Sequence, residues 1–175
     1  MTTIQREDQG ASAREELREV VSSFDTAMLV TELDGFGLRA RPMALAAGGM
    51  AEHEAGNDDL YFATRIDSGK TREVRDDSHV VVTFQSKTKF ASLSGLAQVV
   101  GDPKLVERLW SDAWQTWFPQ GAGDPTLCII RVSPTEGEYW DMGAARGLRY
   151  LFDAAKAYAT GEPAGGDVKN QRVRL

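Results

Sequence analysis

The sequence predicts a mainly β protein of the α+β class, folded as a compact antiparallel barrel with peripheral helices. About seven β-rich runs are separated by turn signals along the chain. Only two or three segments have helical periodicity, and their order among the strands is too irregular for a doubly wound parallel sheet. A length of 175 residues is enough for one domain with its own core. We therefore expect residues 1–175 to form a single domain.

The first elements are a helix and a β-hairpin. Ser12 and Glu15 have the spacing of a capping box, and apolar residues follow at helical intervals, which predicts a helix over about 12–24. The runs AMLVTEL and LRARPMALA flank an Asp-Gly turn pair at 34–35 and predict two antiparallel strands. The acidic, Gly-rich segment 48–59 has no apolar periodicity, so a surface loop is expected before the strand LYFAT.

The later elements are further strands and two helices. HVVVTFQ and KFASLSGLAQVV predict two strands, and TLCIIRVSP and EGEYWDM predict two more near the end of the barrel. An Asp-Pro pair at 102–103 opens a helix that is expected to run through three tryptophans as far as Trp117. The run RGLRYLFDAAKAYA, from Arg146, predicts a last helix, and the Gly-rich tail after it is expected to be mobile.

Composition excludes several classes of function. The formal net charge is −6 and the Lys and Arg residues are dispersed, which argues against a nucleic-acid partner. No apolar run is long enough to cross a bilayer, and no secretory signal is visible at the N-terminus, so a cytoplasmic location is expected. Cys128 lies in the run LCIIRV and is interpreted as a buried strand residue. Neither histidine has the spacing of a metal site or a catalytic triad, so no metal is expected.

The sequence SGKT at 68–71 raises the question of a phosphate site. A nucleotide-binding P-loop needs a glycine at the position of Thr64, where a β-branched residue cannot replace it. Ser68 is instead a plausible helix N-cap, with Lys70 in the first turn. Free N–H groups and a lysine at a helix start attract a phosphate. The alternative is an ordinary capped surface helix with a solvated lysine.

Two arginines on the second strand of the hairpin also indicate an anion site. Alternation along the strand places Arg39 and Arg41 on one face, where the two charges repel each other unless an anion lies nearby. The alternative is an edge strand whose arginines face solvent. Pro42 supports that alternative because proline cannot donate a ladder hydrogen bond.

The order of these pieces resembles a known family. A strand with RARPM, a strand ending in Thr64, the Ser-Gly-Lys turn, the strand ASLSGLAQVV, a Trp-bearing helix and a late EYW follow one another. This order is similar to that of the pyridoxamine 5'-phosphate oxidase-like split β-barrel superfamily, within its general stress protein 26-like branch. The resemblance implies a split-barrel core over about 12–142, followed by a C-terminal helix and tail over about 143–175.

The resemblance also implies a homodimer with a flavin mononucleotide (FMN) in each of two clefts between the subunits. Arg41 and Lys70 match residues that bind the flavin phosphate, Thr64 matches a residue at the flavin ring, and Trp140 matches an aromatic from the partner chain. Gly69 stands where the oxidases often have a second basic residue, which implies weaker phosphate binding. The full set of implied cofactor-binding residues is Arg41, Pro42, Met43, Ala44, Leu45, Thr64, Ser68, Gly69, Lys70 and Trp140.

One departure from the family limits the activity that is expected. True pyridoxamine 5'-phosphate oxidases carry Arg-x-His after their late tryptophan, whereas this chain reads DMGAARGLRY there, so vitamin B6 oxidation is not expected. The resemblance then implies an FMN-dependent oxidoreductase with a stress-related role, an unidentified small redox substrate and no catalytic side chain. The alternatives are a non-catalytic flavin storage or sensing protein and a deazaflavin-dependent reductase. FAD is a further alternative to FMN.

Overall fold

The structure, a computed structural model, describes residues 3–33, 35, 37–46, 58–141 and 169–175. No helix within these residues is both long enough and apolar enough to cross a lipid bilayer. Most of the predicted acidic loop, and all of the predicted helix from Arg146, lie outside the described residues.

The described elements are three helices, seven strands and two short 3-10 helices. The helices are α1 (Thr3–Ser22), α2 (Gly69–Asp76) and α3 (Pro103–Leu109). The strands are β1 (Thr26–Glu32), β2 (Leu38–Ala44), β3 (Leu60–Arg65), β4 (His79–Gln85), β5 (Lys89–Val100), β6 (Leu127–Asp141) and β7 (Lys169–Arg174). The 3-10 helices are Asp112–Thr116 and Gly121–Gly123.

All seven strands join one antiparallel sheet in the order β2-β1-β4-β5-β6-β3, and β7 pairs with the C-terminal half of β6. The sheet curls until its two ends meet, where the Ala46 backbone N–H donates to the Tyr61 carbonyl at 2.8 Å. The predicted antiparallel barrel with peripheral helices is therefore confirmed. Curvature of this kind follows from the right-handed twist of the strands.

Two hydrophobic clusters hold the barrel and its helices together. The larger cluster packs α1 against the inner face of the sheet, and its fully buried members include Leu17, Val21, Phe62, Phe84 and Leu93. The smaller cluster packs α3 and the 3-10 segments against the outer face of β3 and β6, and it includes Tyr61, Val106, Trp114, Phe118 and Ile129. Alternation along β3 thus sends neighbouring residues into different clusters.

The first helix is longer than predicted. α1 begins at Thr3, so Ser12 lies inside the helix and the prediction that it caps the start is wrong. The residues before Ser12 include good helix formers and no proline, which allows the helix to extend in that direction. At the other end, the N–H groups of Ser23 and Phe24 bond to the carbonyls three residues earlier and finish the last turn.

The sequence predicted one helix through all three tryptophans, and this prediction is wrong. Asp102 caps α3 and Pro103 is its first residue, as expected, but α3 ends at Leu109. Trp110 is extended, with ψ at 138°, and a 3-10 helix follows. This break buries Trp114 in the smaller cluster and leaves Trp117 exposed, so tertiary packing outweighs the helical spacing of these residues.

The predicted last two strands form one strand, β6, of fifteen residues. Pro134 does not end it, because the β5–β6 register shifts at this point and proline is tolerated at such a bulge. The prediction of a mobile tail is wrong for residues 169–174, which form β7. Val173 of β7 lies opposite Gly137 and is buried in the larger cluster. This long-range pairing has no local sequence signal.

Candidate functional site

The turn between β3 and α2 has the predicted geometry of a capped helix start. Ser68 is extended, with φ −73° and ψ 154°, and its hydroxyl accepts from the Thr71 N–H. The Thr71 hydroxyl is buried and lies 2.6 Å from the Ser68 carbonyl oxygen and 2.9 Å from that of Ile66, so either carbonyl can accept its single proton. The predicted N-cap is confirmed, and Thr64 lies within strand β3 rather than in a phosphate-wrapping loop.

Lys70 reaches from the first turn of α2 back to the end of β3. Its ammonium donates to Thr64 Oγ1 at 2.9 Å, and Thr64 itself is buried. The pKa of the Lys70 ammonium is lowered from its ordinary value. Partial burial of the side chain is the main cause, and the nearby positive charge of Arg41 is the second. Among the described residues, Thr64 is the only hydrogen-bond partner of this ammonium. A bound anion would therefore be favoured here by the remaining donors and by the two adjacent positive charges.

The two arginines of β2 share an anion, and that anion is a side chain of α2. Arg41 donates to Glu73 Oε2 at 2.5 Å, while Arg39 donates to Glu73 Oε1 at 3.2 Å. The Arg41 side chain is 15% exposed, whereas Arg39 is 52% exposed. The structure thus favours the anion hypothesis for this pair over two solvated arginines, and it assigns the nearest anion to Glu73.

Glu73 and Thr31 belong to the same cluster, and the sequence analysis missed both. Burial by itself would raise the pKa of Glu73, but the hydrogen bond from Thr31 and the charges of Arg41 and Arg39 outweigh it and lower the pKa. The Thr31 hydroxyl also accepts from Arg41 Nη1 at 2.8 Å. Glu73 stands three residues after Lys70, on the same face of the helix. That spacing was the sequence signal that could have identified it.

The stretch from Pro42 to Leu45 is divided between two sides of the sheet. Met43 and Leu45 are buried in the larger cluster, whereas Pro42 and Ala44 are exposed. Within this stretch only Pro42 and Ala44 have exposed side chains, and they lie on the face of β2 opposite Arg41. At Gly69, an added Cβ would lie 3.7 Å from Glu73 Oε1, an ordinary contact, so space does not demand glycine there.

Trp140 is remote from this cluster within one chain. Thr64 pairs with Cys128 near the start of β6, whereas Trp140 pairs with Phe90 and Asn170 near its end. Twelve residues of strand separate the two positions, or about 40 Å of extended chain. The structure therefore unites Arg41, Lys70 and Thr64 but not Trp140.

The chemistry of the cluster is that of an anion site. Arg39, Arg41 and Lys70 supply three positive charges and Glu73 supplies one negative charge. The described residues contain no group of three or more His, Cys, Asp or Glu side chains that could hold a metal. Cys128 is fully buried, as predicted, and burial raises the pKa of its thiol to about 11, so it is not a thiolate at neutral pH.

Residues 12–164 match the profile of the family described as pyridoxamine 5'-phosphate oxidase like. The chain belongs to this family. Protein bli-3 of Neurospora crassa is 31% identical to this chain over 160 residues. The aligned region spans 85% of this chain and 74% of that protein. The family resemblance stated from the sequence motifs is thereby confirmed.

Solved structures similar to this family member have the same split β-barrel fold. A putative general stress protein 26 from Jannaschia sp. CCS1 superimposes with a TM-score of 0.69 at 22% identity, covering 94% of this chain and 99% of that one. A general stress FMN/FAD binding protein from Xanthomonas citri superimposes with a TM-score of 0.62 at 27% identity, covering 74% of this chain and 92% of that one. The predicted split barrel is confirmed.

Proposed function

We propose that the protein binds FMN and uses it as a redox cofactor in a stress-related oxidoreductase. The observation that carries the proposal is the pair of adjacent cations, Arg41 and the half-buried Lys70, at the capped start of α2. A phosphomonoester would add negative charge to a cluster whose three cations share only the Glu73 carboxylate. The likeness to the FMN/FAD binding protein of Xanthomonas citri supports flavin as the phosphate-bearing ligand.

Different residues would contact the phosphate and the ring of FMN. Lys70 and Arg41 would bind the phosphate, and the free N–H groups at the start of α2 would add their dipoles. The strand from Pro42 to Leu45 would run along the flavin ring, as the family resemblance implies. Bound flavin supplies the hydride or electron transfer, and the protein supplies position and electrostatics.

We further propose that the active form is a homodimer. Among the described residues, the large exposed apolar side chains Met28, Leu38 and Leu96 lie on the outer face of the sheet, and Leu38 is 79% exposed. Strand pairing places all three on the side of the sheet opposite the core. A second copy packed on this face would shield it from water. Trp140 lies too far along β6 to reach its own phosphate cluster, which supports its assignment to the site of the second copy.

Spectroscopy and ligand titration test the proposal. The purified protein is expected to bind FMN, with a visible flavin spectrum that NAD(P)H or dithionite bleaches and air restores. A bound flavin that no nicotinamide reduces would favour the storage or sensing alternative. Tighter binding of FAD or of a deazaflavin than of FMN would change the proposed cofactor. If none of these ligands binds at micromolar concentration, the proposed function is wrong.

A further inference from the structure

Glu73 is the anion around which the arginines of the candidate site are arranged. Its two carboxylate oxygens accept from Arg39, from Arg41 and from the Thr31 hydroxyl, the last at 2.5 Å. Arg41 closes a triangle by donating to Thr31 as well. Glu73 is 6% exposed, so water screens these interactions poorly.

The carboxylate of Glu73 lies beside the first turn of its own helix. Glu73 follows Lys70 by three residues, and its Oε1 atom is 3.7 Å from the position of a Cβ at Gly69. The side chain therefore extends back along α2 toward the helix start, where Lys70 and the free N–H groups lie. A phosphate bound by Arg41 and Lys70 would share this small region with a negative charge.

Glu73 reduces the positive charge that the cluster offers to such a ligand. Arg39, Arg41 and Lys70 contribute +3 and Glu73 contributes −1, so the cluster carries a formal +2. The Glu73 carboxylate stabilises the arginines but repels a dianionic phosphate placed beside them, and the repulsion is strong where water is excluded.

We propose that Glu73 is a built-in counter-anion of the phosphate site, which stabilises the arginine cluster before the ligand binds and weakens the binding of the ligand's phosphate. The proposal rests on the proposed function, because the ligand in question is a phosphomonoester such as FMN. Glu73 thereby sets the affinity of the site for its cofactor. It is not a catalytic residue, because it acts through Arg39 and Arg41.

The test compares Glu73→Gln with a matched control, Glu107→Gln, which makes the same charge change on the exposed face of α3. Both flavin-free variants and the wild type are titrated with FMN and with riboflavin, which lacks the phosphate. We expect Glu73→Gln to bind FMN about tenfold more tightly than the wild type and riboflavin equally. Glu107→Gln should leave both affinities unchanged.

A second variant separates charge from contact. Glu73→Asp keeps the negative charge but shortens the side chain, so it should not reproduce the tighter FMN binding of Glu73→Gln. If Glu73→Gln instead weakens FMN binding, Glu73 positions Arg41 for the phosphate and the counter-anion proposal is wrong. Equal FMN affinities for the wild type and Glu73→Gln would also overturn it.

Thermal unfolding in the absence of flavin gives an independent readout. Glu73→Gln should unfold at a lower temperature than Glu107→Gln at low salt, because three cations then lie together without a counter-charge. Added inorganic phosphate should recover more of this loss in Glu73→Gln than in the control. If no flavin binds, the proposed function is wrong, but the proposal for Glu73 is still tested. Recovery of thermal stability by inorganic phosphate then decides the role of Glu73.

Thermal unfolding with added anions also decides the proposal if Glu73→Gln does not fold in their absence. If Glu73→Gln folds only when phosphate or FMN is added, the proposal is supported, because the added anion replaces the lost charge. If neither anion restores folding, Glu73 serves as a structural hydrogen-bond acceptor and the proposal is wrong.

Discussion

The ammonium of Lys70 lies 2.9 Å from Thr64 Oγ1, and this hydrogen bond joins the first turn of α2 to the end of β3. It holds the lysine over the helix start, beside the charge of Arg41. A phosphate bound at this point would gain both a charge-assisted hydrogen bond and the field of the second cation. We therefore expect the ligand's phosphate to bind beside Lys70 and Arg41.

Replacing Lys70 should weaken FMN binding while sparing riboflavin. Lys70→Ala removes one charge-assisted bond to the phosphate, worth about 1.5 to 3 kcal/mol, or roughly ten- to a hundredfold in Kd. Flavin fluorescence titrations of the wild type and the variant measure both ligands. The matched control is Lys104→Ala on the exposed face of α3. Equal FMN affinities for the wild type and Lys70→Ala would remove Lys70 from the site.

The pKa of Lys70 predicts how stability without flavin varies with pH. Burial and the charge of Arg41 lower its pKa in the folded protein, so the unfolded chain binds the proton more readily. The charge of Lys70 therefore costs stability below its folded pKa, and this cost fades as pH rises through that value toward the ordinary lysine pKa of about 10.4. Lys70→Met should unfold at a higher temperature than the wild type at pH 7, with a smaller difference near pH 10. A difference independent of pH would contradict this assignment.

A charge on the outer face of the sheet should prevent dimerisation. Leu96→Asp places a carboxylate where the second copy is expected to pack, and burying it unpaired is unfavourable. Sedimentation at micromolar concentration should show a dimer for the wild type and a monomer for the variant. Trp117→Ser is the control, since Trp117 is 65% exposed but ends the 3-10 helix that packs over β3 and β6, away from the strands that carry Met28 and Leu96. A wild-type monomer that retains flavin would refute the dimer.

Gly137 is expected to be required for packing between α1 and the sheet. A Cβ at this position would lie 2.5 Å from Leu17 Cδ2 and 2.6 Å from Leu93 Cδ2. Gly137→Ala should destabilise the protein by about 1 to 3 kcal/mol through overpacking. Urea denaturation measures the loss. Gly101→Ala is the control because nothing lies within 4 Å of its added Cβ, and its midpoint should remain close to that of the wild type.

Local sequence determined most of the elements and one arm of the candidate site. Alternating or β-rich apolar runs predicted β1 to β5, and the capping residues Ser68 and Asp102 marked where α2 and α3 begin. These features depend on hydrogen bonds and side-chain contacts within a few residues, so they can be read from the chain. A single domain, the homodimer and a cytoplasmic location stay predictions.

Tertiary structure alone decided how the site is assembled and how the barrel is completed. Glu73 is an ordinary helix residue in the sequence, and only the packing of α2 against β1 and β5 places it between Arg39 and Arg41. In the same way, β7 has no local signal and exists because Val173 can pack opposite Gly137. Contacts between residues far apart in the chain depend on burial and charge pairing, which local patterns do not encode.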